Sequence, residues 1–217
     1  MNNQLNKNEH RWKWTGASLP TPSAKAANTR VLILLHGRGD TAEKILKVFH
    51  RLDLPEFVCV APQAENNAWY PKGFMAPLDQ NQPFLDQGLA LVKALHEEVS
   101  AKGIPPENLY FVGFSQGACM AVEYATRYAQ RYGGVVAFSG GLIGDTLEKN
   151  RYSGDFAGTP VYLGASKTDS WVPANRIDDS AQWLTDMNAQ VQKHYFDDDD
   201  HTIRDEEIAI ARRLLLA

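Results

Sequence analysis

The feature that most constrains this chain is Gly113-Phe114-Ser115-Gln116-Gly117, set between the apolar run Leu109-Tyr110-Phe111-Val112 and a helically periodic segment from Ala118 to Arg131. A buried strand that breaks at once into a helix holds its turn residue in a strained conformation, and side chains two positions to either side would collide with strand or helix. Glycines at 113 and 117 remove both collisions, so the spacing predicts a tight elbow with Ser115 at its apex. The elbow needs a parallel sheet to carry it, and it sets Ser115 above the carboxyl edge of that sheet. The helix that follows aims its free N–H groups and positive dipole end at any charge forming near Ser115.

The rest of the chain supplies such a sheet. Arg30 to Leu35 and Phe57 to Ala61 are apolar without alternation, as parallel strands buried on both faces are; Gly134 to Phe138, Val161 to Ala165 and Val191 to Phe196 are read as the later strands. Helices are predicted from Ala42 to Leu52, capped by Asp40 or Thr41, and from Pro83 to Lys102, where Phe84, Leu85, Leu89, Leu91, Val92, Leu95 and Val99 recur at helical spacing. Two more are expected from Pro173 to Met187 and from Ile203 to Leu216. Alternation of strand and helix from residue 30 onward calls for a mostly parallel α/β sheet covered by helices on both faces. Arg11 to Gly16 mixes aromatic and polar residues, as an edge strand with one wet face does. A chain of 217 residues with 44% hydrophobic content builds one sizeable core. We therefore divide it into a tail with an edge strand, 1–28, and a catalytic domain, 29–217, with no large cap.

Charge and composition narrow the function. A net charge of −4 offers no basic field for nucleic acid, and no window approaches the roughly 18 apolar residues of a membrane span. Residues 1–10 lack a hydrophobic signal segment and read as a loosely attached tail, so a cytoplasmic location is expected. Cys59 and Cys119 sit in apolar patterns as buried thiols rather than a disulfide.

A serine at an elbow is inert until a base takes its proton, and an acid must orient that base. His201 follows the last predicted strand, where it can reach back over the elbow. His194 lies within a strand, His50 and His96 within helices and His10 in the tail; His36, next after the first buried strand, suits holding the turn. Asp169 comes just past the strand that ends near Ala165, ahead of Asp145, Asp155, Asp178 and Asp179 as the orienting acid. The order Ser115, Asp169, His201 is the α/β-hydrolase order. Acyl transfer also needs donors for an oxyanion. The backbone N–H of Gln116 is one, and that of Arg38, in the glycine-bearing loop His36-Gly37-Arg38-Gly39, is the other. The long irregular loop from Gln63 to Gln82 carries Trp69, Tyr70 and Phe74, which together with Trp171 are candidate pocket walls; the competing account has the rings of Trp69 and Tyr70 pinning the loop to the body. Asp197 to Asp200 put four carboxylates beside His201, but consecutive residues do not converge on one cation, so we expect a solvated loop and no metal site.

Five motifs in order, Leu34-Leu35-His36-Gly37-Arg38-Gly39-Asp40, Ala61-Pro62-Gln63 with Trp69-Tyr70-Pro71, Gly113 to Ala118, Asp169-Ser-Trp-Val-Pro173 and His201-Thr-Ile203, resemble the phospholipase/carboxylesterase family of α/β-hydrolases, which includes acyl-protein thioesterases. The resemblance implies a Ser115, Asp169, His201 triad, oxyanion amides on Arg38 and Gln116, and neither metal nor organic cofactor. Many members carry Asp-Pro where this chain has Asp169-Ser170, and glycine where it has Asp200. The expected function is a serine carboxylesterase acting on short- to medium-chain esters through an acyl-enzyme on Ser115, with a small-molecule ester as substrate. Acyl thioesterase or lysophospholipase action is the alternative within that chemistry, and a catalytically silent binding protein the alternative outside it. Edge strands and the pair Trp12/Trp14 favour a homodimer.

Overall fold

The structure, a computed structural model, describes residues 12–16 and 26–217. The expected tail and most of the connection before Asn28 lie outside the described residues. The strands are β1 (Trp12–Gly16), β2 (Arg30–Leu35), β3 (Phe57–Pro62), β4 (Leu109–Phe114), β5 (Gly134–Phe138), β6 (Pro160–Ser166) and β7 (Gln190–Phe196). The helices are α1 (Ala42–Leu52), α2 (Phe84–Ser100), α3 (Gln116–Arg127), α4 (Ala174–Asp186) and α5 (Asp205–Leu216). One sheet runs in the order β1-β3-β2-β4-β5-β6-β7, parallel throughout except for β1, which pairs antiparallel with β3 at the edge.

Alternate residues of the inner strands feed two cores. Val31, Ile33 and Leu35 face one side, where α2, α3 and α4 pack; Leu32 and Leu34 face the other, against α1 and α5. Helices thus cover both faces, and the continuous apolar runs follow from burial on both sides. Thr41 caps α1 by accepting the Lys44 N–H.

Phe84 keeps the helical spacing and lies outside the buried seam, 47% exposed. Two expectations need correction. The helix after the elbow stops at Arg127 rather than Arg131, because the chain turns at Tyr128 and Ala129 forms a bridge with Gly154. The last helix starts at Asp205 rather than Ile203, with Arg204 at its cap donating both its backbone N–H and a guanidinium N–H to Glu207 Oε2. Among the described residues, no helix is long and apolar enough to cross a membrane.

From β2 the chain first lays β3 to one side, then crosses to lay β4 on the other. The loops after β2 and β4 therefore diverge at a topological switch point, where a doubly wound sheet opens a crevice at its carboxyl edge.

Candidate active site

Ser115 occupies that crevice with φ 54° and ψ −120°, a conformation that L-residues adopt only under constraint. The constraint is visible at the flanking glycines. A Cβ on Gly113 would come within 2.2 Å of Gly117 O, and one on Gly117 within 2.1 Å of Leu35 O. The elbow is thus jammed against β2 as well as against itself, which is why both positions exclude side chains.

His201, beyond β7, returns over the elbow. Its Nε2 lies 2.7 Å from Ser115 Oγ and its Nδ1 2.7 Å from Asp169 Oδ2. Because a carboxylate only accepts, Nδ1 carries the proton and Nε2 is free to accept from the serine hydroxyl. The Asp169 side chain is fully buried, and its other oxygen accepts the N–H groups of Trp171 (2.8 Å) and Val172 (3.2 Å). That turn fixes the carboxylate before it meets the imidazole. The Phe114 ring lies 5.2 Å from the His201 ring and backs it.

Among the described residues, no acceptor engages the backbone N–H of Arg38 or Gln116, the two amides expected to face an oxyanion. The side chains of the same two residues do something the sequence did not disclose. Gln116 accepts from Trp69 N–H (2.8 Å) and donates to Tyr70 O (2.7 Å), while Arg38 donates to Pro71 O (2.9 Å) and Lys72 O and lies over the Tyr70 ring. The elbow and the loop after β2 therefore clamp the segment 69–72. The Gln-after-Ser pairing was visible in the motif, but its partners lie more than forty residues away and carry no local signal.

The cleft beside Ser115 has a volume of about 250 Å³, and Arg38, Tyr70, Phe74, Cys119, Val172 and His201 are among its lining. The structure places Tyr70 and Phe74 in the lining of this cleft, and Trp171 at its rim, 72% exposed. Trp69 does not reach this cleft. Its ring, 2% exposed, packs beneath the loop near Gly88 and Met120, and its Nε1–H donates to His36 O at 2.8 Å. Both N–H donors of Trp69 are spent on holding the loop. Burial pushes the Cys119 thiol, hydrogen-bonded to Tyr70, up to about 11 and raises the Tyr70 phenol well above its usual range, so both stay neutral.

His36 serves the turn. It is fully buried, its Nε2 accepts the Ala64 N–H at 3.1 Å, and its Nδ1 lies 2.7 Å from Gly37 O. Burial lowers its pKa, which keeps it neutral. The acidic run is less free than expected: Asp197 pairs with Lys167 at 2.5 Å and Asp198 with Arg204. Among the described residues, no group of three or more His, Cys, Asp or Glu could hold a metal ion.

Comparison with known proteins agrees with this architecture. The crystal structure of a phospholipase/carboxylesterase from Dyadobacter fermentans DSM 18053 superposes with a TM-score of 0.89 at 43% identity, covering 95% of this chain and 96% of that one. A probable carboxylesterase of Oryza sativa subsp. japonica is 30% identical over 173 residues, 71% of this chain and 65% of that protein. Acyl-protein thioesterase 1 of Eremothecium gossypii is 34% identical over 159 residues, 66% of this chain and 67% of that protein. Across six curated relatives the chain spans 49% to 72% of the relative's length. The sequence profile described as Phospholipase/Carboxylesterase matches residues 19–216, and with nearly the whole chain inside that match the protein belongs to the phospholipase/carboxylesterase family of α/β-hydrolases.

Proposed function

We propose that this protein is a serine carboxylesterase that hydrolyses small carboxylic esters of short to medium acyl length through an acyl-enzyme on Ser115. The observation that carries the reading is the unbroken chain from Asp169 through His201 to Ser115, with both links at 2.7 Å. His201 Nε2 takes the hydroxyl proton as Ser115 Oγ attacks the ester carbonyl, and Asp169 holds the ring and stabilises its cation. The N–H groups of Arg38 and Gln116, with the positive end of α3 behind the latter, receive the charge that develops on the carbonyl oxygen. The intermediate collapses, the alcohol leaves with the proton from His201, and a water deprotonated by the same imidazole releases the acid.

The short-chain part of the reading is supported by the modest size of the cleft beside Ser115, about 250 Å³. Thioester hydrolysis uses the same groups and is the second reading, favoured by the likeness to acyl-protein thioesterase 1; lysophospholipid hydrolysis demands a longer acyl site. A p-nitrophenyl ester series from two to sixteen carbons, run beside a palmitoyl thioester, tests the assignment. We expect kcat/KM to peak on the short- to medium-chain esters and Ser115→Ala to abolish turnover. Fluorophosphonate should label Ser115. Wild-type protein that neither hydrolyses nor labels would point to a binding protein, and preference for the long thioester would sink the short-ester reading.

A further inference from the structure

We propose that Arg204 is a positioning residue for His201, with Asp198 as its counter-charge, so that the acidic run is one half of a latch holding the general base. The inference rests on the reading of His201 as that base.

His201 lies in the connection between β7 and α5, a segment without regular secondary structure in which Asp197, Asp199 and Asp200 are exposed. The imidazole can be fixed against Ser115 and Asp169 only if the peptide that carries it is fixed too, and four successive carboxylates repel one another. Arg204 supplies what the segment lacks. Its guanidinium lies over the Phe196 ring, 4.5 Å from the centroid, at the place where β7 ends. Its Nε donates to Asp198 Oδ2 at 3.0 Å, and the two hydrogens of one terminal nitrogen are shared among Asp198 Oδ1, Asp200 O at 2.9 Å and Ser166 Oγ at 2.7 Å. The other terminal nitrogen reaches Glu207 Oε2, 3.3 Å away in the first turn of α5.

The contact with Asp200 O matters most, because that carbonyl belongs to the peptide bond leading into His201. Ser166, the last residue of β6, donates to the same oxygen at 2.5 Å. The Thr168 hydroxyl, one residue before Asp169, donates to Asp198 O at 2.9 Å. A single planar cation therefore ties together the end of β7, the peptide before the base, the strand that leads to the acid, and the start of α5. A lysine cannot reproduce this, since a point charge lacks the fork that meets a carboxylate, a carbonyl and a hydroxyl at once. Arg204 touches neither Ser115 nor substrate. It acts by holding the His201 ring where a displacement of about 1 Å would cost on the order of 100-fold in rate.

The experiment compares wild type with Arg204→Lys, Arg204→Ala and Asp198→Asn. For each it measures kcat and KM on p-nitrophenyl butyrate, the rate of fluorophosphonate labelling and the melting temperature, with assays run well below melting. We expect Arg204→Ala to lose about 10- to 100-fold in kcat and in labelling rate with KM within about twofold, Arg204→Lys to recover little, and millimolar methylguanidinium to restore part of the Arg204→Ala rate. Asp198→Asn, which keeps the guanidinium and changes a partly exposed side chain, should fold and show a smaller loss in kcat; it carries the test should both Arg204 variants fail to fold. Full kcat in folded Arg204 variants, or in Asp198→Asn where it stands alone, overturns the inference, as does a loss that appears wholly in KM. Wild type that neither hydrolyses nor labels overturns the catalytic reading beneath it instead.

Discussion

Gln116 combines the amide proposed for the oxyanion with a side-chain clamp on the loop 69–72, and one substitution separates the two. Gln116→Met keeps the backbone N–H and nearly the same side-chain length, but removes the acceptor for Trp69 N–H and the donor to Tyr70 O. Both partners belong to residues only 2% exposed, so each is left buried without a replacement. A stranded buried polar group costs roughly 1–3 kcal/mol. Water entering from the cleft can reach part of the site, so we expect about 2–4 kcal/mol in total rather than the full sum. In a domain of this size 1 kcal/mol moves the melting temperature by about 2–4 °C, which predicts a fall of roughly 5–15 °C and a lower urea midpoint at unchanged slope. The kinetic signature differs from that of a lost oxyanion donor. Tyr70 walls the cleft, so a loosened loop should raise KM and flatten the dependence of kcat/KM on acyl length, while kcat on the acetyl ester falls little. Wild-type melting together with an unaltered acyl-length profile would show that the amide clamp does not hold the wall.

Trp171→Ala should change relative kcat/KM across the ester series with almost no change in melting temperature, because the ring stands at the rim, whereas Trp69→Ala should cost about 3–5 kcal/mol of stability and depress activity on every chain length alike; urea melts beside the series separate the two. The Cys119 thiol, pushed up to about 11 by burial, should resist iodoacetamide at pH 8 although it lines the cleft, and rapid alkylation there would refute its neutral, enclosed state. Burial lowers the pKa of both His36 and His96 from the ordinary 6.5. Between those lowered values and 6.5 the unfolded chain binds more protons than the folded one, so the stability tied to these residues is complete above about pH 6.5 and declines as pH falls, at up to about 1.4 kcal/mol per pH unit for each. His96→Gln should shallow that decline in a melting series from pH 7.5 to 5, and an identical slope would count against it.

Much of this protein was legible in its sequence because the signals involved are local. Apolar runs of five or six residues, the Thr41 cap and the glycine spacing around Ser115 are each decided by atoms within one turn or one strand, and β2, α1 and β5 accordingly end where the pattern ends. Chain order after successive strands singled out Ser115, Asp169 and His201, since loops at the carboxyl edge of a parallel sheet converge whatever their length. Tertiary structure alone decided the rest. Helical spacing gave Phe84 an apolar periodicity, but only the placement of α2 against the sheet left it in solvent; α3 lost its last turn to a bridge between Ala129 and Gly154. Trp69 and Tyr70 are neighbours of similar character and both are buried, yet only Tyr70 lines the cleft, on a segment that Gln116 and Arg38 grip from positions far away in sequence. Three of the four aspartates are solvated, as expected of such a run, but only the fold brought Arg204 over Phe196 to pair with Asp198. Periodicity and sterics reach a few residues along a chain, whereas the partner of a buried amide or a loop carboxylate is set by the register of the whole sheet, which no short stretch encodes.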